Sequence, residues 1–250
     1  MFNRYFINTI LVLIFREWRR ISMEPSRIIG ILLQPLLFLL VFGAGFHHSF
    51  FYRNSDTNYI TFFFPGILGL VLLFSSIYAT ITLVDDKKCG FFRLVLLAPA
   101  GVLAAISGKI IATWILGFLQ SILFLWLILF LPINASLTVL FYSLCILLLS
   151  SLMLAILGVL CAYLSPSSSA FHAIMSIILL PMWLLSGAMF PLDGVLKYLS
   201  IINPMFYVVS LLRSNLLSSE LLWKNIIFII IFIFLFTLSL IAIAKKKPLT

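Results

Sequence analysis

The amino-acid sequence predicts an all-α integral membrane protein with six transmembrane helices, and two observations carry that prediction. From Ile110 to Leu192 no Lys, Arg, Asp or Glu occurs in 83 residues, while charge clusters lie just outside at Asp85-Asp86-Lys87-Lys88 and Asp193. An apolar helix needs roughly 20 residues to cross the hydrocarbon core, so this run holds three crossings joined by short turns. Across all 250 residues, 64% are hydrophobic and 9% charged, and the mean hydropathy is +1.25. A chain of that composition would aggregate if it met water on all sides. The length has room for one membrane domain and no large soluble one.

Taken in order, residues 1–27 differ in character from the rest of the chain. Tyr5 to Phe15 is apolar for only about 11 residues, too few to span, and runs into Arg16-Glu17-Trp18-Arg19-Arg20. Ile10, Ile14, Trp18 and Ile21 recur at helical spacing, with Arg16, Arg19 and Arg20 largely on the other side, which predicts an interfacial helix lying on the membrane. A secretory leader fits poorly, because the basic residues come after the apolar run and no small-residue cleavage site succeeds it. Five spans are then expected within 28–189, near Ile28 to Phe46, Tyr59 to Val84, Ile110 to Leu131, Leu137 to Tyr163 and Phe171 to Phe190. A polar, broken segment occupies 190–225, the sixth span 226–244, and a basic tail 245–250. Turn chemistry separates the spans at Pro132-Ile133-Asn134-Ala135-Ser136 and Ser165-Pro166-Ser167-Ser168-Ser169.

The net charge of +9 is scattered at membrane borders, where anionic headgroups explain it, and no basic face for nucleic acid is formed. With the N-terminus inside, twelve basic residues fall on the cytoplasmic side and four (Arg53, Lys197, Arg213, Lys224) outside, so both termini are expected in the cytoplasm. Trp126, Trp183 and Trp223, with Tyr52, Tyr59 and Tyr163, stand toward helix ends, where a headgroup-belt position is expected. Cys89, Cys145 and Cys161 lack metal-ligand spacing and read as structural.

Chemistry for catalysis is hard to find. All six expected cores lack Asp, Glu, Lys and Arg, whereas a proton- or ion-coupled carrier would need an ionisable group at depth. His47-His48 and His172 sit at span ends without companions that would complete a metal set. Leu103 to Ile110 ends in Ser107-Gly108-Lys109-Ile110, but a phosphate-binding loop would need Gly at 103 and a hydroxyl at 110. No cofactor, catalytic or metal site is therefore expected in this chain, and any ATP and magnesium chemistry must reside on another one.

The segment Asp85-Asp86-Lys87-Lys88-Cys89-Gly90-Phe91-Phe92-Arg93-Leu94-Val95-Leu96-Leu97-Ala98-Pro99, with Lys109 after it, resembles the cytoplasmic loop of ABC-2 type exporter permeases, the membrane subunits of type V ABC transporters. Tyr59 to Phe64 with Pro65-Gly66 is similar to that family's entry into its second helix. Ser186 to Leu192 is similar to the end of its fifth, and Asn203-Pro204-Met205-Phe206-Tyr207 with Leu212-Arg213 to its outer loop. The resemblance runs over nearly the whole chain in the same order. Arg93 departs from it, where the family often has Glu. By resemblance, Asp86, Gly90, Phe91, Phe92, Leu97 and Pro99 belong to a coupling helix that an ATPase subunit grips, and Phe190, Pro191, Asn203 and Pro204 to an outer re-entrant hairpin that gates the path.

The residues themselves support part of this. Gly90 with Phe91, Phe92, Leu94 and Leu97 after it makes a short amphipathic helix whose apolar face suits either a protein groove or the lipid surface. Val195 to Ile202 and Met205 to Leu212 suit two short helices broken at Asn203-Pro204. Phe62-Phe63-Phe64 and Met182 beside Trp183 suit an apolar substrate portion or a lipid-facing surface equally. The resemblance implies a permease in a bacterial inner membrane that pairs with a second copy of itself and with ATP-binding cassette subunits, and exports a drug, lipid or lipid-linked saccharide. A non-transport membrane scaffold that recruits a soluble partner through the amphipathic loop is the alternative. An intramembrane enzyme is disfavoured by the absence of buried titratable groups.

Overall fold

The computed structural model describes residues 2–46, 58–91, 101–133 and 135–246. Every regular element among them is helical. In chain order these are α1 (Phe2–Ser22), α2 (Pro25–Gly45), α3 (Tyr59–Lys88) and α4 (Gly101–Leu125), the last extended by a 3₁₀ turn at Trp126–Phe130. Next come α5 (Leu137–Leu164), α6 (Ser168–Leu184), α7 (Val195–Ser200), α8 (Pro204–Ser218) and α9 (Trp223–Lys246).

Local chemistry fixes several starts. Ser136 opens α5 with its hydroxyl accepting from the Val139 N–H, Ser167 does the same for Ala170 at α6, and Asn203 caps α8 through Met205. Pro25 and Pro204 occupy first-turn positions, where their missing N–H costs nothing.

Five helices are long and apolar enough to cross a membrane: Ile28–Gly45, Tyr59–Lys88, Val102–Phe130, Leu137–Leu164 and Trp223–Ala244. The chain is a multi-pass membrane protein. Where the fifth span was expected over Phe171 to Phe190, the helix Ser168–Leu184 has 17 residues, or about 25 Å at 1.5 Å per residue against a hydrocarbon core of about 30 Å. A π-helical turn at Met175–Leu179 interrupts it, with Pro181 just beyond.

Helix α3 is the axis of the molecule. It packs against α2, α4, α5 and α8, and Phe62, Phe63, Phe64 and nearly every residue to Val84 are buried. Helix α1 lies on α4, and α9 lies on α5 and α8. Small residues allow close approach in place of a hydrophobic drive, which lipid does not supply between helices. A Cβ on Gly66 would stand 2.9 Å from the Ala188 backbone, so this contact between α3 and the turn after α6 requires glycine.

Several expectations are corrected by this packing. The Phe62-Phe63-Phe64 run faces neither lipid nor a path but the interior of the single chain. Trp126 and Trp223 are exposed as belt residues should be, while Trp183, Tyr59 and Tyr163 point inward. Trp183 donates its indole N–H to the Gly66 carbonyl at 2.8 Å, so its polar atom is satisfied within the bundle. Helix α4 begins nine residues before the expected Ile110 and carries Lys109 inside its span. Charge had marked the expected boundary, but that charge is neutralised by a partner from another helix.

The buried face of α1 also differs. Leu13, Glu17 and Ile21, spaced by four, are buried, whereas Trp18 is exposed. A helix resting on lipid alone would bury its largest apolar side chains; this one is docked on α4, with Leu13 against Gly108.

Candidate functional site

The charges that were expected to border the membrane gather into one network at the end of α3 that carries Asp85 to Lys88. Helix α1 contributes Arg16, Glu17 and Arg20, α3 contributes Thr82 and the four residues Asp85 to Lys88, and α4 contributes Lys109. Thr82 and Asp86 lie one turn apart on α3 and so face the same way.

At its centre the Lys109 ammonium contacts both the Glu17 carboxylate and the Thr82 hydroxyl, and Thr82 donates to Glu17 at 3.0 Å. The Lys109 and Glu17 side chains are 5% and 4% exposed. Neither charge could stand alone there, because an unpaired ion in so dry a place costs several kcal/mol.

One turn nearer the surface, Arg16 grips Asp86 with both Nη atoms at 2.7 Å, and Arg20 Nη1 adds a third bond at 3.1 Å. Two-pronged pairs of this kind combine strength with a fixed orientation. The hydrogen bond to Asp86 raises the Arg16 pKa above its ordinary value, against the opposing effect of burial, so its charge is permanent. The Arg16 guanidinium also stands 4.1 Å from the centroid of the Phe91 ring, within range for a cation–π contact.

The other side of the α3 terminus is tied just as firmly. Lys87 Nζ donates to the carbonyls of Ala162, Tyr163 and Ser165 at 2.9, 2.5 and 3.0 Å, satisfying acceptors that the end of α5 leaves open. Lys88 donates to the Ser168 hydroxyl at 3.2 Å, and that hydroxyl donates to Asp85 at 3.1 Å. Arg20 Nη2 lies 3.6 Å from Asp85. All four consecutive charges of α3 are thus engaged, two toward α1 and all but Asp86 toward the α5–α6 connection.

Asp86 was expected in a cytoplasmic loop offered to a partner. It is instead a buried helical residue committed to α1. Gly90 closes the helix at φ +72°, the left-handed position at which glycine avoids the Cβ penalty, with Gly90 N–H donating to the Lys87 carbonyl at 3.1 Å. Phe91 is half-buried against Arg16. Phe92, Leu97 and Pro99 lie outside the described residues, as do His47-His48. Of the α1 basic residues, Arg19 is exposed, as is Trp18 beside it.

At the opposite end, the expected outer residues separate into two groups. Phe190 and Pro191 are exposed, but Asn203 and Pro204 are buried. Besides capping α8, Asn203 donates to the Met182 carbonyl, so the break between the two short helices is a pinned corner. The turn after α6 is held likewise. Arg213 donates to the Gly187 and Ala188 carbonyls at 2.8 and 3.3 Å and stands 3.9 Å above the Phe62 ring. Tyr59 donates to the Met189 carbonyl at 3.1 Å.

Sequence reasoning missed Glu17, Thr82, Lys109 and Arg213 as structural polar residues. A lone acid among four basic or aromatic neighbours, and a lone Arg in an apolar run, were the available signals.

The model of the family described as ABC-2 type transporter matches residues 8–217. The chain belongs to that family. It is 30% identical over 233 residues to the protein of Cyanophora paradoxa named transport permease ycf38, covering 90% of this chain and 79% of that one. It is 26% identical over 229 residues to nodulation protein J of Rhizobium meliloti (strain 1021), covering 83% and 79%. A ycf38 protein of Pyropia yezoensis is 27% identical over 206 residues, covering 79% and 68%. The family match takes in α1 from residue 8 onward, both sides of the charged network, and the pinned outer turn. A transport permease of the ABC-2 type is therefore the general role of the chain.

Proposed function

We propose that this ABC-2 permease is the membrane subunit of an ATP-driven exporter. Two copies pair with one another and with two separate ATP-binding cassette subunits, which carry the ATP and magnesium, and move an amphipathic or hydrophobic substrate outward along the interface between the copies. The chain sits in a bacterial inner membrane with both termini cytoplasmic and with α6 as a sixth crossing, short but widened by its π turn. The segment from Phe190 to Asn225 forms an outer hairpin over the path.

One observation carries the coupling part of this reading: the base of the Gly90 to Pro99 segment is bonded to three helices at once. A force applied to that segment cannot bend the end of α3 by itself. Through Asp86 it must move α1, through Lys87 the end of α5 and, through Thr82 and Glu17, α4. Such a joint converts a push on a small segment into rotation of helices as a body, as rigid elements with paired contacts do. A scaffold that only recruited a partner would have no need of it.

The test is purification of the tagged chain from native membranes under mild conditions. An ATPase with a phosphate-binding loop should co-purify, and its ATP hydrolysis in proteoliposomes should depend on the permease. Replacing Phe91 with Ala removes the ring under Arg16 and should weaken that dependence while leaving the five long helices inserted. Copurification of a partner without ATPase activity would refute the exporter and favour the scaffold.

A further inference from the structure

A cavity of about 220 Å³ opens between α2, α3 and α6, away from the charged network. Its walls are Leu73, Phe74, Ile77 and Ile81 of α3 with Met175 and Leu180 of α6, and its polar groups are Gln34, Tyr78, His172 and Ser176. Gln34 needs an explanation. It is the one amide in the otherwise apolar span Ile28–Gly45, nine residues from the helix start and therefore about 14 Å along it. The Tyr78 hydroxyl approaches its Oε1 at 3.5 Å, and among the described residues its NH₂ has no partner. An amide left unmatched at membrane depth is costly unless something arrives to use it.

The surrounding backbone agrees with a site. Pro35, next to Gln34, gives no N–H to the Ile31 carbonyl four residues back, and Pro181, next to Leu180, gives none to the π turn before it. Irregular helices at depth are tolerated where they are buried or line a cavity. Ser176 donates to the His172 carbonyl at 3.1 Å and keeps its oxygen as an acceptor.

Size and charge select the ligand. Sites that enclose a whole drug-sized molecule run to about 300–1,000 Å³, so this one takes a head and leaves a tail in lipid, which α2 borders with only 17% of its span buried. No Lys, Arg, Asp or Glu lines it, so an ionised head would enter without a counter-charge. Amide, phenol and hydroxyl together donate and accept without charge.

We propose that this cavity is a lateral binding site for the head of an uncharged, hydroxyl- or amide-bearing amphiphile, with Gln34 and Tyr78 as its recognition pair. The proposal rests on the exporter reading, since it names the substrate class that such a machine would draw from the bilayer.

The test uses the chain alone in phosphatidylcholine nanodiscs, without any ATPase. Three photoactivatable probes share one alkyl chain and carry glucoside, phosphate or trimethylammonium heads. The glucoside should label α2, α3 or α6 saturably, be competed by its unlabelled form, and bind at least tenfold better than either charged probe. Gln34→Leu and the near-isosteric Tyr78→Phe should each lower glucoside labelling at least fivefold, and Gln34→Glu should shift preference to the trimethylammonium probe. Leu129→Ala, on the lipid-exposed turn after α4, should leave labelling unchanged. Equal labelling by all three heads, or wild-type labelling in Tyr78→Phe, overturns the proposal. Absence of an ATPase in the copurification, with glucoside labelling intact, would overturn the exporter reading and leave the site standing.

Discussion

Replacing Lys109 with Met isolates the energetics of the charged network. The substitution keeps the length and most of the volume of the side chain but removes the ammonium that contacts Glu17 and Thr82. Glu17 is then left 4% exposed with the Thr82 hydroxyl at 3.0 Å and Arg16 Nη1 at 3.6 Å as its remaining partners. Breaking a buried pair from one side costs about 3–5 kcal/mol, because the surviving charge stays desolvated, whereas replacing both members by apolar groups of similar size is near neutral. At 1.4 kcal/mol per tenfold, the single variant should lose stability by a factor of roughly a hundred to a few thousand. The double variant Glu17→Leu/Lys109→Met should recover most of it. The assay is reversible unfolding in mixed micelles by SDS titration, read by tryptophan fluorescence, for wild type, both singles and the double. A double variant as unstable as the sum of the singles would refute a coupled buried pair, and with it the claim that α1 is bolted to α4 through this contact. The same four proteins in proteoliposomes separate stability from coupling: the double variant should insert and fold yet transmit less of any ATPase stimulation, since α1 and α4 would be packed without being tied.

Gly90→Ala should cost about 1–2 kcal/mol in the same unfolding assay, since φ +72° is a left-handed conformation that an L side chain resists; no loss would mean that α3 ends differently in the membrane. Arg213→Met removes donors to two carbonyls and the contact with the Phe62 ring, and should destabilise by roughly 2 kcal/mol while making a cysteine placed at Phe190 react faster. Cys89 is exposed at the end of α3, so a membrane-impermeant maleimide should label it in inside-out vesicles and not in intact cells. Labelling in intact cells would reverse the proposed orientation.

The parts of the fold legible in the sequence were those governed by solvent alone. Long apolar runs specify helices whatever their neighbours, so Tyr59 to Val84 and Leu137 to Tyr163 were placed within a few residues of α3 and α5. Helix–helix contacts obey a different logic, because in a chain where almost every side chain is apolar, burial in protein and burial in lipid have the same pattern. Nothing local distinguishes Phe62, fully buried, from Phe234, which is exposed. Charges misled for the complementary reason. Lys109 read as a boundary because an unpaired Lys marks one, and its partner lay 92 residues away on α1. Trp18 read as the anchor of an amphipathic face because size and spacing favoured it, yet α1 turns Glu17 inward, where Lys109 waits.

That substitution of faces bears on how the permease works. A helix anchored by Trp18 in lipid would track the membrane surface and be free to slide as the bundle changed shape. A helix held by Glu17 to α4 and by Arg16 to α3 must move with both, and Arg16 reaches Phe91 from the same guanidinium that grips Asp86. The three contacts share one short stretch of α1, so a displacement of the segment after Gly90 by even a few ångströms either carries α1 with it or breaks charge-assisted bonds. At the far end of α3, some twenty residues on, Arg213, Tyr59 and the Gly66 contact fix the outer turn to the same helix. Because α3 is buried along nearly its whole length, the two pinned ends are the places where a motion of α3 would be passed on.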